Sequence, residues 1–336
     1  MIIVMHLWGI TMIREYKRIL HRKTTIYFVY AVIAIFCGLT IRLITTAKDS
    51  KSLSDYIGYY NTYEKLYEYY NLTKESINEV YNGMDESLIE EKIENNDRIN
   101  KRLIVFEYLL KNYVNSEDAV IYSEGYPFVS KDIVSINFSY SEYITYMMIL
   151  ISIFLVVYIL TGDFTGERHR MLYTGYNRMK ILREKFVTYI TLNIIVMLIL
   201  EILGGIFASI FADKVKVILL TINGKVYGIK PCIMWILETI SLLFQLLPYF
   251  VLFFSIGVFL KNDLLTPIIC IGLFLFEYYF GGKTGKVLFV TGPFYYSLYG
   301  TCGTIKEWMF SYIRECVLVF IVLSCSFYNF KKAHFR

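Results

Sequence analysis

GDFTGERHRMLYTGYNRMKILREK, residues Gly162 to Lys185, is a basic and aromatic stretch held between two long apolar runs. Its six cations, Arg168, Arg170, Arg178, Lys180, Arg183 and Lys185, outnumber its three acids, Asp163, Glu167 and Glu184. Short loops on the cytoplasmic side of a membrane carry such an excess. The stretch therefore reads as a cytoplasmic loop, and it sets the orientation of the chain on either side. The part from Gly166 to Tyr176 is too short to cross a bilayer. Met171, Leu172 and Tyr173 nevertheless place apolar surface among its charges, which suits a face that meets a partner.

Working outward, the whole composition agrees with a membrane setting. Of 336 residues, 56% are hydrophobic, 18% aromatic and only 19% charged, and several apolar runs exceed what a soluble core element needs. The net charge of +5 conceals a division. Residues 46–141 hold ten Lys/Arg against seventeen Asp/Glu, so the remainder is markedly basic. Charge is sorted by membrane side, and a nucleic-acid partner is excluded for want of any motif that reads one. The six cysteines have no metal-ligand spacing, and none lies in the acidic segment, which excludes a disulfide framework there. The four histidines are far apart, and no metal site is expected.

Taken in order, residues 1–23 read as an interfacial helix, with Trp8, Ile10, Ile13 and Leu20 on an apolar face against Arg14, Lys17, Arg18 and Arg22. Residues 24–45 form the first span, read as an uncleaved helix. Residues 46–141 form an extracytoplasmic domain that is mainly helical. In it Tyr56, Tyr60, Tyr63, Tyr67 and Tyr70 recur at helical spacing, as do Ile89, Ile93, Asn96, Ile99, Leu103, Phe106, Leu110 and Tyr113. Ala119 to Tyr122 and Ile133 to Phe138 are read there as short strands. The second span is 142–161, the loop 162–185 follows, and the third span is 186–211. In the outer loop 212–232, Asn223-Gly224 between Val217–Ile222 and Lys225–Ile229 signals a two-residue hairpin. The fourth span, 233–260, carries Pro248, and the fifth is 264–280. Residues 281–310 form an aromatic, Gly-rich outer loop with re-entrant character. The sixth span is 311–330, and a basic cytoplasmic tail covers 331–336. The fold class is an all-α integral membrane protein with six transmembrane helices.

Gly282-Lys283-Thr284 ends like a phosphate-binding loop, but Glu277 stands where the first glycine belongs, and no strand precedes it. No ATPase activity and no cofactor are expected of this chain. Glu201, Glu238 and Glu277 lie within spans three, four and five. At the helical rise, Glu201 and Glu277 stand about 22 and 20 Å from the inner end, and Glu238 about 8 Å from the outer end. The three share an outer-leaflet depth. Acids in spans face cavities or partners, so these residues are candidates for a translocation path, the alternative being pairing with a cation such as Arg314.

The order of parts resembles the permease subunit of an ATP-binding-cassette exporter of the ABC-2 class. The resemblance is specific around the basic loop, where Glu167, Leu172, Tyr173, Gly175, Arg178 and Lys185 follow the family's order, with Tyr176 where many members have proline. It implies that Gly166 to Tyr176 is a coupling helix, with Glu167, Arg168, Arg170, Met171, Leu172, Tyr173, Gly175, Tyr176 and Arg178 docking on a separate ATPase subunit. That subunit would bring ATP and Mg. It further implies a second permease copy or paralogue, a multi-pass place in the cell membrane with both termini cytoplasmic, and export. The aromatic and acidic outer features point to a peptide or amphipathic drug-like substrate. The rival reading is a non-transporting receptor or immunity protein whose external helices bind a ligand.

Overall fold

A computed structural model describes residues 23–46, 57–68, 99–100, 102–112, 119–121, 133–161, 178–211, 215–222, 225–284 and 305–332. Every apolar run named above is helical. Helix α1 spans Lys23–Thr46, α2 residues 57–68 and α3 residues 102–112. Strand β1 is Ala119–Ile121, and α4 is Ile133–Val156, which ends in a π turn at Val157–Thr161. Helix α5 is Arg178–Phe211, followed by strands β2, Val217–Ile222, and β3, Lys225–Ile229. Helices α6, Pro231–Leu260, α7, Leu265–Thr284, and α8, Ile305–Lys332, complete the order.

Among the described residues, three helices are long and apolar enough to cross a membrane: Met179–Phe211, Pro231–Leu260 and Tyr312–Lys332. Shorter apolar helices run over Tyr30–Arg42, Ile144–Leu160 and Leu265–Phe276. A helix satisfies its own backbone groups, which is why such runs can sit in hydrocarbon. The outward faces fit that solvent. Ile195, Leu198, Ile199, Ile202, Ile206 and Ile210 of α5 are exposed, as are Ile268, Leu275 and Phe276 of α7 and Val317, Phe320 and Ile321 of α8. The chain is a helical membrane protein.

Of the three long apolar helices α6 is the most enclosed, and its apolar side chains tie the bundle together. Phe254 meets the rings of Phe186 and Tyr189 of α5 at 5.0 and 5.5 Å, and Phe186 meets Phe327 of α8 at 6.3 Å. Ser326 Oγ of α8 shares its proton between the Val322 carbonyl of its own helix at 2.9 Å and the Ser255 carbonyl of α6 at 3.1 Å. Pro231 begins α6, where its missing N–H removes no helical bond. The helix ends at Lys261, which adopts the left-handed region with φ 53°, and its N–H closes on the Gly257 carbonyl at 3.0 Å. Asn262 then caps α7. Its Oδ1 accepts the N–H groups of Leu264 and Leu265 at 2.9 and 3.0 Å.

Outside the bundle, β1, β2 and β3 form one sheet in that order. β2 and β3 are an antiparallel hairpin with Ile222 opposite Lys225, as the Asn223-Gly224 signal predicts. β1 pairs parallel with β2, with Ala119 opposite Val217. Parallel neighbours require a crossover, and here the crossover is the α4–α5 pair itself. Because Lys185 of α5 bonds to Ile159 of α4, the two helices run antiparallel. The chain therefore leaves the sheet along α4 and returns to it along α5. A second small core forms beside the sheet from Val105, Phe106, Leu109, Ala119 and Leu219, covered by Tyr60, Tyr63 and Val226. Tyr60 and Tyr63 belong to the tyrosine stripe, which packs one helix on the other.

Several expectations are corrected. Ile133 to Phe138 is not a strand but the start of α4. Its alternating pattern is short, and the apolar run it leads into continues the helix. Arg178 to Lys185, expected in the loop, forms the first two turns of α5, since Met179, Ile181, Leu182 and Phe186 give that stretch an apolar side at helical spacing. Residues 281–284 extend α7 and 305–310 begin α8, narrowing the expected outer loop to 285–304, outside the described residues. The interfacial helix over 1–22 also lies outside them.

Candidate functional site

The helix registers give the bundle two distinct ends. The sheet stands where α5 stops and α6 starts. At the opposite end α4 stops, α5 starts, α6 turns into α7, and α8 finishes. Among the described residues this second end carries Lys180, Arg183, Lys185, Lys261, Lys331 and Lys332 against Glu184 and Asp263. Lys261 Nζ stands over the Phe330 ring at 5.7 Å, and Lys332 Nζ over Tyr328 at 4.5 Å. Burial holds the Lys261 ammonium below its ordinary range, because partial removal from water penalises the charged form.

This cationic end is where residues 162–177 connect α4 to α5. Of the docking candidates, Glu167, Arg168, Arg170, Met171, Leu172, Tyr173, Gly175 and Tyr176 lie outside the described residues, and Arg178 is the first residue of α5. What the structure adds is the mounting of that segment. The π turn at Val157–Thr161 shifts the carbonyl pattern at the end of α4, and π turns recur at functional places in helices. Lys185 is 7% exposed, and its Nζ donates to the Ile159 carbonyl at 2.6 Å, so the entry and exit of the basic segment are fastened to each other. Removing that cation would take this bond from the Ile159 carbonyl.

Above Lys185 a polar ridge runs along the buried side of α5. Lys185, Tyr189, Asn193 and Glu201 recur at multiples of four residues, with Met197 between the last two, an inclined row that winds about the helix by about 40° per step. Tyr189 and Asn193 are 0% exposed and Glu201 is 3% exposed. The row covers about 24 Å of helix. Thr188 on α5, and Thr145 and Ser152 on the facing α4, are buried as well.

The candidate path residues are placed as follows. Glu201 is buried on α5, and Glu238 is 8% exposed on α6. Two contacts set the register between these helices: Phe186 against Phe254, and Gly205, where an added Cβ would meet the Trp235 ring at 3.2 Å. That antiparallel register puts Glu201 level with the turn of α6 that holds Glu238. Glu277 lies on α7, and its side chain is outside what is described. Arg314, the cation considered as a partner, is exposed on α8.

Sequence reasoning missed the ridge below Glu201. Its signal was legible: Lys185, Tyr189, Asn193 and Glu201 interrupt an apolar run at four-residue steps, and polar side chains on a lipid-immersed helix must turn inward. Among the described residues no group of His, Cys, Asp or Glu is arranged to hold a metal ion. No family model, no curated protein and no solved structure matches the chain.

Proposed function

We propose that this chain is the membrane-spanning permease subunit of an exporter of the ABC-2 class, driven by a separate ATPase. The observation that carries the reading is the division of the bundle into two ends by the β1–β2 pairing. A chain that leaves the sheet along α4 and returns along α5 presents the basic segment 162–177 at the end opposite the acidic, tyrosine-rich domain. An excess of cations at one end marks the cytoplasmic side. In this reading six helices, α1 and α4 to α8, cross the cell membrane, and both termini are cytoplasmic.

The basic segment then faces the compartment that holds ATP. It offers Leu172, Tyr173 and Tyr176 as apolar contacts and Arg168, Arg170 and Arg178 as charges for an ATPase surface. Closure of the ATPase on ATP and Mg pushes this segment. The Lys185 bond to the π turn transmits the push to α4 and α5 together. Coupling of this kind needs two arrangements that the partner biases, with no chemistry in the permease itself. A second permease copy or paralogue supplies the other wall of the path. Buried Glu201 and Glu238, with Glu277, give that path a negative outer half suited to a cationic peptide or amphipathic drug-like molecule.

Affinity purification of the intact chain from its host membrane, beside a variant with Leu172→Ala, Tyr173→Ala and Tyr176→Ala, tests the reading. An ATPase subunit that accompanies the wild type and is lost from the variant is the expected result. Absence of any ATPase from folded, gently solubilised protein overturns it in favour of a receptor or immunity protein.

A further inference from the structure

The lipid-facing surface of the bundle ends in lysines. On α8, Val317, Ile321 and Tyr328 are exposed along one side of the helix, and Lys332, one turn beyond Tyr328, continues that side. Its Nζ lies over the Tyr328 ring at 4.5 Å, and Lys331 beside it is exposed as well. Apolar side chains, then an aromatic ring, then a cation is the order that a helix shows as it passes from hydrocarbon to headgroups. The turn between α6 and α7 repeats it. Phe259, Leu264 and Leu265 are exposed around Lys261, with Leu264 at 72%. Acyl chains take up such surface where water resists it. Lys261 Nζ stands over Phe330, the residue before Lys331, so this turn and the last turn of α8 lie side by side.

Depth and backbone agree with charge. The 30 residues of α6 cover about 45 Å, the thickness of a bilayer with its headgroups, which sets Lys261 at headgroup level. Among the described residues Lys261 is the only non-glycine with positive φ, at a helix end where glycine is the common choice. A lysine kept there at a backbone cost has a task for its side chain. Residues 259–265 and 328–332 hold three lysines against one acid, Asp263. We propose that Lys261, Lys331 and Lys332 form a docking rim for anionic phospholipids, the ammonium groups meeting headgroup phosphates while Phe259, Leu264 and Tyr328 rest on the acyl chains. Cations at a membrane surface attract anionic lipid in this way. A soluble protein is the poorer occupant, because the lysines are interleaved with side chains that belong in hydrocarbon. The rim does not rest on the exporter reading, since it requires only that α6 and α8 cross a bilayer.

Native mass spectrometry reads the rim directly. The full chain in detergent is titrated with phosphatidylglycerol, or with phosphatidylcholine of the same acyl chains, and the bound lipids are weighed. Phosphatidylglycerol is expected to bind the wild type more tightly, and each lysine removed from the rim should weaken it about fivefold. Lys331→Gln with Lys332→Gln should therefore lose most of the preference, while phosphatidylcholine binding stays the same. Lys261→Gly should weaken phosphatidylglycerol without lowering the melting temperature, because glycine adopts φ 53° freely. A lower melt with the lipid preference intact would instead assign Lys261 to packing on Phe330. Lys225→Gln with Lys230→Gln, which removes two exposed cations at the sheet end, should leave phosphatidylglycerol affinity unchanged. An equal loss in that pair overturns the proposal, since net charge alone would then account for binding. So does a wild type that binds the two lipids alike, or rim variants that keep the preference but shed a copurifying ATPase.

Discussion

The protein has two cores, built under two solvents. Beside the sheet, Phe106 lies buried between Tyr59 and Tyr63, with ring centroids 6.1 and 5.6 Å away. Arg102 lays its guanidinium 5.4 Å from the centre of the Tyr63 ring and donates to its hydroxyl. Apolar groups go inside, as water demands. The bundle reverses this arrangement. Its outer faces are isoleucine, leucine and phenylalanine, while Lys185, Tyr189, Asn193 and Glu201 are enclosed. Against lipid tails an apolar side chain gains nothing by burial, so shape and hydrogen bonds hold the helices together. The same amino acids thus report opposite faces in the two regions.

The comparison can be broken most forcefully at Phe106. Phe106→Ala removes the aromatic around which α2, α3 and the sheet pack, and a loss of about 3–5 kcal/mol is expected. Hydrogen exchange should quicken across residues 57–68, 102–112 and the β2–β3 hairpin while α5 and α6 stay protected. Equal loosening of the helices would show that the two cores act as one. Gly205→Leu attacks the other core by shape alone, since a Cβ there already meets the Trp235 ring at 3.2 Å. Overpacking of about 1–3 kcal/mol is expected, read as a lower melting temperature in nanodiscs with Trp235 fluorescence shifted. An unshifted melt would mean that the ring turns aside freely. Ser326→Ala sharpens the comparison at its smallest scale. It deletes the bond from α8 to the Ser255 carbonyl, and interhelical bonds of this kind in membranes average about 0.6 kcal/mol. A melting shift as large as that of Gly205→Leu would overturn the view that shape outweighs single hydrogen bonds in this bundle.

Legibility in the sequence followed physical range. The apolar helices, the Asn223-Gly224 hairpin and the tyrosine stripe are short-range patterns, and each stands where its spacing puts it. Ile133 to Phe138 failed because a six-residue alternation cannot outweigh the helical run that follows it. Arg178 to Lys185 failed because charge was read as loop, although Ile181, Leu182 and Phe186 share a helical side. The acids Glu201 and Glu238 were found singly by their cost in lipid. Counting along the helices already gave them a shared depth, and the contacts of Phe186 with Phe254 and Gly205 with Trp235 put them on adjoining turns of α5 and α6.

By itself the sequence determined that this chain lives in a membrane, that it is helical, and that cations and acids are sorted to different loops. These follow from hydropathy and charge, which act residue by residue. Only the tertiary structure decided that Ala119–Ile121 pairs parallel with Val217–Ile222 across an intervening helical pair, and that Lys185 fastens the end of α4. It alone set Lys261 against the ring of Phe330. Such contacts join residues 26 to about 100 positions apart. No local propensity encodes them, because they form only when packed helices bring distant backbone and side-chain groups within bonding distance.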